Sequence, residues 1–204
     1  MKLGYLDVMR SYRVLDGTAY AFKKGEKEIL FQTAKPYFEF FRNMTGIDID
    51  ERDKIVDKTV TSKLIKAMNF NPKSKISVKE YLLRMAEITA ESLNISPTRI
   101  YTIDELNEEI LRIYNSKSEL NYKIFEDKIK EPKNLSSITE MIGNYEVREL
   151  IGFIYGMLKK SLENQSTFNI KLLATLVPDE LLAALYIFFL KNKNIIDTYG
   201  KLNF

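Results

Sequence analysis

The 204-residue sequence contains no histidine, no cysteine and no tryptophan. Without histidine there is no imidazole to act as a general base near neutral pH or to ligate a metal. Without cysteine there is no thiolate nucleophile, disulfide, zinc knuckle or iron–sulfur site. Most hydrolase, nuclease and redox chemistries are therefore removed, or would depend on carboxylates, lysines, serines and tyrosines. We expect no cofactor, no metal and no catalytic role.

The sequence also lacks a long hydrophobic run and a phosphate-binding glycine loop. Its most apolar stretch, 181–190, is about half the length of roughly twenty residues that a bilayer requires, which predicts a buried core helix. No apolar run follows a basic patch at the N-terminus, so no secretion signal is predicted. Gly17 and Gly25 are not followed by the Lys-Ser or Lys-Thr of a nucleotide cradle. We expect a cytoplasmic protein with no membrane partner.

What the sequence does contain is material for a sizeable core. Hydrophobic residues make up 45% of the chain, and it has 12 phenylalanines and 12 tyrosines. A chain of this length fits one domain or two small ones. The many Lys, Glu, Ile and Tyr residues, together with the absence of cysteine, are typical of a thermophile.

Helix signals recur along the whole chain. Three capping boxes, in which a hydroxyl residue precedes a glutamate by three positions, begin at Ser77, Thr102 and Ser137. The apolar spacing behind the first two predicts helices near 77–93 and 103–115. Similar spacing predicts a helix over 147–162, and Pro178 is well placed to begin a final helix. The sequence predicts a mainly α helical bundle of about eight or nine helices.

Strand signals are few. The segment Glu28–Gln32 could form a short extended piece. The segment Leu3–Phe22 fits either a helix interrupted at Asp16-Gly17 or a hairpin that turns there, and its helical spacing favours the helix. We therefore expect at most a short hairpin near the N-terminus.

The polar, lysine-rich segment 116–134, with Pro132 near its end, is the best candidate for a linker or hinge. It predicts an N-terminal helical lobe over 1–115, which carries a basic face, and a C-terminal helical lobe over 135–204.

A group of carboxylates lies between Asp48 and Asp57. Hard cations prefer such oxygen ligands, but the glycine and the closing glutamate of a calcium loop are missing. Acids at the start of a helix favour its dipole. We therefore interpret the group as the start of a helix led by Asp50 rather than as a metal site.

The distribution of positive charge points to a partner. The net charge is only +3, but between Lys58 and Arg84 seven cations face the single acid Glu80. Such rows of cations can bind a phosphate backbone, and neighbouring aromatic residues can stack on single-stranded bases. The candidate nucleic-acid contacts are Arg10, Arg13, Lys23, Lys24, Lys63, Lys66, Lys73 and Lys75. The alternative is an ordinary solvated lysine face.

The order of features in the first 95 residues resembles the helical small-subunit region of CRISPR effector complexes. The segments that carry the resemblance are 16–22, the stretch 29–41 with Lys35-Pro36, and the helices from Asp50 and Ser77. The resemblance implies a non-catalytic bundle that lies along RNA or single-stranded DNA and binds other protein subunits in an antiviral complex. The same basic residues would then be its backbone contacts.

A second hypothesis is a helical protein–protein interaction or viral accessory protein without nucleic-acid binding. A third, an enzyme built on carboxylates, has no motif in its favour. Salt-dependent binding to nucleic acid would separate the first two hypotheses.

Overall fold

The computed structural model describes residues 2–37, 48–49, 55–56, 59–70, 76–128, 143, 145–164 and 170–192. Within these ranges the protein is a bundle of eight α-helices, so the prediction of a mainly α fold is confirmed. The elements are α1 (Lys2–Ser11), β1 (Ala21–Phe22), α2 (Glu26–Ala34), a 3₁₀ turn (Lys35–Tyr37), β2 (Asp48–Ile49), β3 (Ile55–Val56), α3 (Thr59–Ala67), α4 (Val78–Ser92), β4 (Ile100–Tyr101), α5 (Ile103–Lys128), α6 (Val147–Asn164), α7 (Ile170–Leu176) and α8 (Pro178–Lys191).

Helix α8 forms the centre of the bundle. Every residue from Leu181 to Phe189 is buried, as expected for a helix that is apolar on all sides. It packs most extensively against α4 and α6. Pro178 lies at its start, where a missing N–H costs nothing, which confirms the prediction for this helix.

The buried side chains of α4, α5, α6 and α8 belong to one hydrophobic cluster that extends from Tyr20 to Phe189. The helix expected to end near residue 115 continues to Lys128, because Lys, Glu and Leu are good helix formers even in a polar segment. The predicted division into lobes 1–115 and 135–204 stays a prediction, since residues 129–142 lie outside the described part of the chain.

Two of the predicted capping boxes are present. At the start of α4, the Ser77 hydroxyl accepts from the Glu80 N–H at 3.2 Å and the Glu80 carboxylate accepts from the Ser77 N–H at 3.3 Å. At the start of α5, Thr102 and Glu105 make the same reciprocal pair at 3.2 and 2.8 Å. These predictions are confirmed, whereas the box at Ser137 lies outside the described residues.

Two local predictions are wrong. The segment Glu28–Gln32 is part of helix α2 rather than extended, because Leu30, Phe31 and Ala34 are spaced to bury one helical face. The helix expected from Asp50 begins only at Thr59, and β-branched Ile55-Val56 instead forms an antiparallel pair with Asp48-Ile49. Asp48 therefore lies in a strand rather than before a helix, and the other acids of this group lie outside the described residues.

The N-terminal segment combines both predicted alternatives. Helix α1 ends at Ser11, and Asp16 then pairs with Phe22 in an antiparallel bridge. Strand β1 also pairs in parallel with β4, with Ala21 opposite Ile100 and Phe22 opposite Tyr101. This small sheet fixes the N-terminal loop against the start of α5.

Candidate functional site

The loop Asp16–Tyr20 has a backbone conformation that only glycine can supply at its second position. Gly17 has a φ of +94°, in the left-handed region. A Cβ at Gly17 would overlap the Tyr20 carbonyl oxygen and would lie 2.9 Å from the Glu87 Oε1. The tight loop therefore brings successive backbone N–H groups towards one point.

Glu87 of α4 occupies that point. Its Oε1 accepts hydrogen bonds from the N–H groups of Thr18, Ala19 and Tyr20 at 2.6, 3.0 and 3.1 Å. Its Oε2 accepts from the Thr18 hydroxyl at 2.5 Å and from Arg84 at 3.2 Å. Concave sets of backbone N–H groups bind anions, and here the protein's own carboxylate, 1% exposed, fills the set.

Asp16 connects the loop to the start of α2, and Glu26 connects the start of α2 to the start of α5. The Asp16 Oδ2 accepts from the Gly25 N–H at 2.8 Å, and its Oδ1 lies 3.2 Å from the Lys24 Nζ and 3.7 Å from the Lys27 Nζ. The buried Glu26 carboxylate accepts from the Ile103 N–H at 2.7 Å, at the start of α5. Both carboxylates are thus used to hold the fold together.

A polar cleft of about 430 Å³ opens beside α1, between this loop and α4. Five cationic side chains and three carboxylates line it, so its walls carry an excess of positive charge. The charged lining residues are Arg10, Arg13, Lys24, Lys27, Arg84, Asp16, Glu80 and Glu87.

Arg84 is the most constrained cation of the cleft. Burial lowers the pKa of Arg84, but its hydrogen bonds to Glu91 and the charge of Glu87 outweigh this effect and raise the pKa above its ordinary value. Arg84 therefore stays charged and neutralises buried Glu87 rather than serving as a free group.

The predicted basic residues are distributed over several surfaces. Arg10, Arg13 and Lys24 line the cleft. Lys23 is exposed beside β4, and Lys63 donates a 2.5 Å hydrogen bond to the Thr175 hydroxyl. Lys66 is exposed on α3, and Lys73 and Lys75 lie outside the described residues.

Sequence reasoning missed Lys27, Arg84 and Glu87. In the sequence, Glu87 cannot be distinguished from an ordinary exposed glutamate of a helix, because its hydrogen-bond partners lie up to 69 residues away along the chain. The sequence feature that could have indicated this site is the Asp16-Gly17 turn, because the backbone N–H groups of a tight buried loop need hydrogen-bond acceptors.

A second surface feature lies on the opposite side of α1. Tyr5, Val8 and Tyr12 follow the i, i+3, i+7 spacing of one helical face, and they are 60%, 52% and 79% exposed. Leu6, on the inner side of the helix, is buried. Tyr5 and Val8 lie within α1, and Tyr12 follows its last residue, with its N–H still bonded to the Val8 carbonyl at 3.0 Å. We call these three residues the apolar face of α1. These exposed side chains form an apolar strip, and Leu6 on the other side of the helix is buried.

The described residues include no helix long and apolar enough to cross a membrane. Within that same part of the chain, no group of three or more acidic side chains is arranged to hold a metal ion.

Comparison with known proteins gives one informative result. The chain is similar to an ATP synthase subunit delta. That protein comes from Metamycoplasma arthritidis, and the similarity covers 135 residues, 63% of this chain and 75% of that protein, with 27% identity. No protein-family model and no solved structure matches the sequence.

This similarity corrects the sequence-based function. The resemblance to the small-subunit region of CRISPR effector complexes is contradicted, and with it the antiviral, nucleic-acid-binding function. The structure gives a physical reason for the error, because Lys24 is paired with Asp16 and Lys63 with Thr175 rather than arranged in one row. The list of individual nucleic-acid contacts stays a prediction.

Proposed function

We propose that this chain is a non-catalytic, protein-binding subunit of a multi-subunit assembly of the ATP synthase type. The similarity to a protein named as an ATP synthase subunit supports this proposal, since it extends over three quarters of that protein. It corresponds to the second hypothesis drawn from the sequence, a helical interaction protein.

The observation that carries the proposal is the apolar face of α1. Large apolar side chains in a contiguous exposed patch mark interaction sites, and tyrosine is enriched at the centre of protein interfaces. Burying each such side chain contributes about 1.5–3 kcal/mol. Side chains on a helix that is already formed lose less conformational freedom on binding than those of an unfolded segment.

The arrangement of polar groups also favours binding over catalysis. The buried carboxylates Glu87 and Asp16 accept hydrogen bonds from backbone N–H groups of other residues, Thr18 and Gly25 among them, and are paired with neighbouring cations. A catalytic carboxylate needs an accessible atom near its substrate. These groups are committed to holding the loop and α2.

The test is co-purification of the tagged chain from its own cells, with the recovered proteins identified by mass spectrometry. We expect ATP synthase subunits to accompany the parent. The triple variant Tyr5→Ser, Val8→Ser and Tyr12→Ser should lose them while remaining folded, because these side chains are exposed.

The matched control replaces Ile29 and Val147, which are about half exposed on other helices, with serine. This variant should retain the same partners. If the parent recovers no ATP synthase subunit, or if the triple variant recovers them as well as the parent does, the proposal is wrong.

A further inference from the structure

Three helices of the protein end in the same hydrogen-bonded turn. After α1, the Arg13 N–H donates to the Arg10 carbonyl at 2.8 Å and the Val14 N–H to the Met9 carbonyl at 3.0 Å. After α4, Asn94 and Ile95 make the equivalent bonds, both at 2.9 Å, and Asn69 and Phe70 repeat the pattern after α3. This is the Schellman motif, which places one residue in the left-handed conformation.

The residue at that position differs in one of the three cases. Asn69 and Asn94 have φ values of 58° and 57°, and asparagine is the usual substitute for glycine there. Arg13 has a φ of 56°, although an arginine gains nothing locally from this conformation. Strained backbone of this kind concentrates at functional sites.

The side chain of Arg13 lines the polar cleft beside α1. Among the described residues, it has no ion-pair partner, whereas Arg10 pairs with Asp7, Lys24 with Asp16, and Arg84 with Glu87. The carboxylates Asp16 and Glu87 are already saturated by backbone N–H groups and by those cations. Glu80, the third carboxylate of the cleft, accepts from the Ser77 N–H, and no ion pair joins it to Arg13 among the described residues. Arg13 is therefore the cleft cation that no carboxylate of the described residues pairs with.

We propose that the cleft binds a small anion carrying phosphate or carboxylate groups, and that Arg13 is its principal contact. The planar guanidinium forms paired hydrogen bonds with either group. Lys24 and Lys27 share the single carboxylate of Asp16, so together they add one net positive charge beside Arg13. A volume of about 430 Å³ lies within the range of small-ligand sites.

The experiment is titration calorimetry of the whole chain with inorganic phosphate, pyrophosphate and citrate, at constant ionic strength set with sodium chloride. We expect saturable binding of at least one of these anions. The variant Arg13→Gly should weaken that binding about tenfold or more, since it removes a charge-assisted pair of hydrogen bonds. The same variant should raise the melting temperature, because glycine adopts the left-handed conformation without strain.

The matched control is Asn94→Gly, which relieves the same backbone conformation away from the cleft. It should raise the melting temperature slightly and leave anion binding unchanged. If none of the three anions binds saturably up to about 10 mM, or if Arg13→Gly binds as the parent does, the proposal is overturned. The titration uses the isolated chain, so its outcome is independent of the co-purification experiment.

Discussion

At the scale of single residues, Tyr81 is an unusual member of the core. It is 2% exposed, and its hydroxyl has no hydrogen-bond partner in the described part of the chain. Tyr20 is equally buried, but its hydroxyl donates to the Ile95 carbonyl at 2.6 Å. Tyr81→Phe should therefore stabilise the protein by about 1 kcal/mol, and Tyr20→Phe should destabilise it by a similar amount. Urea denaturation of both variants checks this pair, and a destabilised Tyr81→Phe would contradict it.

Tyr81 also makes the free energy of unfolding depend on pH in the alkaline range. Burial raises the pKa of Tyr81 above its ordinary value, so the folded protein keeps the proton that the unfolded chain loses near pH 10. The unfolded state then binds fewer protons, and the free energy of unfolding falls as pH rises above about 10. Between pH 9 and 11, Tyr81→Phe should lose less stability than the parent. Equal losses would show that Tyr81 does not contribute.

At the scale of elements, the loop Asp16–Tyr20 depends on Gly17 more than α2 depends on Gly25. Both glycines have positive φ, but among the described residues a Cβ at Gly25 meets no atom within 4 Å. Gly25→Ala should therefore cost only backbone strain, about 1 kcal/mol. Gly17→Ala adds steric overlap with the Tyr20 carbonyl and displaces Glu87, so it should cost about 3 kcal/mol or more. Thermal unfolding of the two variants measures the difference, and similar losses would disprove the role given to the loop.

Elements whose signals are local were predictable, and those that depend on distant partners were not. The capping boxes at Ser77 and Thr102 involve residues three positions apart, and both are present. The segment Glu28–Gln32 of helix α2 was predicted as a short extended piece, because the buried face of this helix is defined only by contact with α4 and α5. The site at Glu87 was missed for the same reason, since Thr18 and Glu87 are 69 residues apart.

At the scale of the whole molecule, composition predicted the helical class and the buried position of α8, because an apolar helix needs no partner to be recognised as core. The partner class was wrong because surface lysines alone do not specify one. Lys24 and Lys27 both pair with Asp16, and the exposed apolar face of α1 consists of two residues of a short helix and the residue after it.

The central claim is that α1 binds another protein subunit, and site-specific photocrosslinking tests it most directly. A photoreactive amino acid would replace Tyr12, which is 79% exposed, or Ile29, about half exposed on α2, as the matched control. In the source cells, we expect the Tyr12 probe to crosslink to an ATP synthase subunit and the Ile29 probe not to do so. A Tyr12 probe that gave no crosslink to an ATP synthase subunit, or no more than the Ile29 probe, would contradict a protein-binding role for α1.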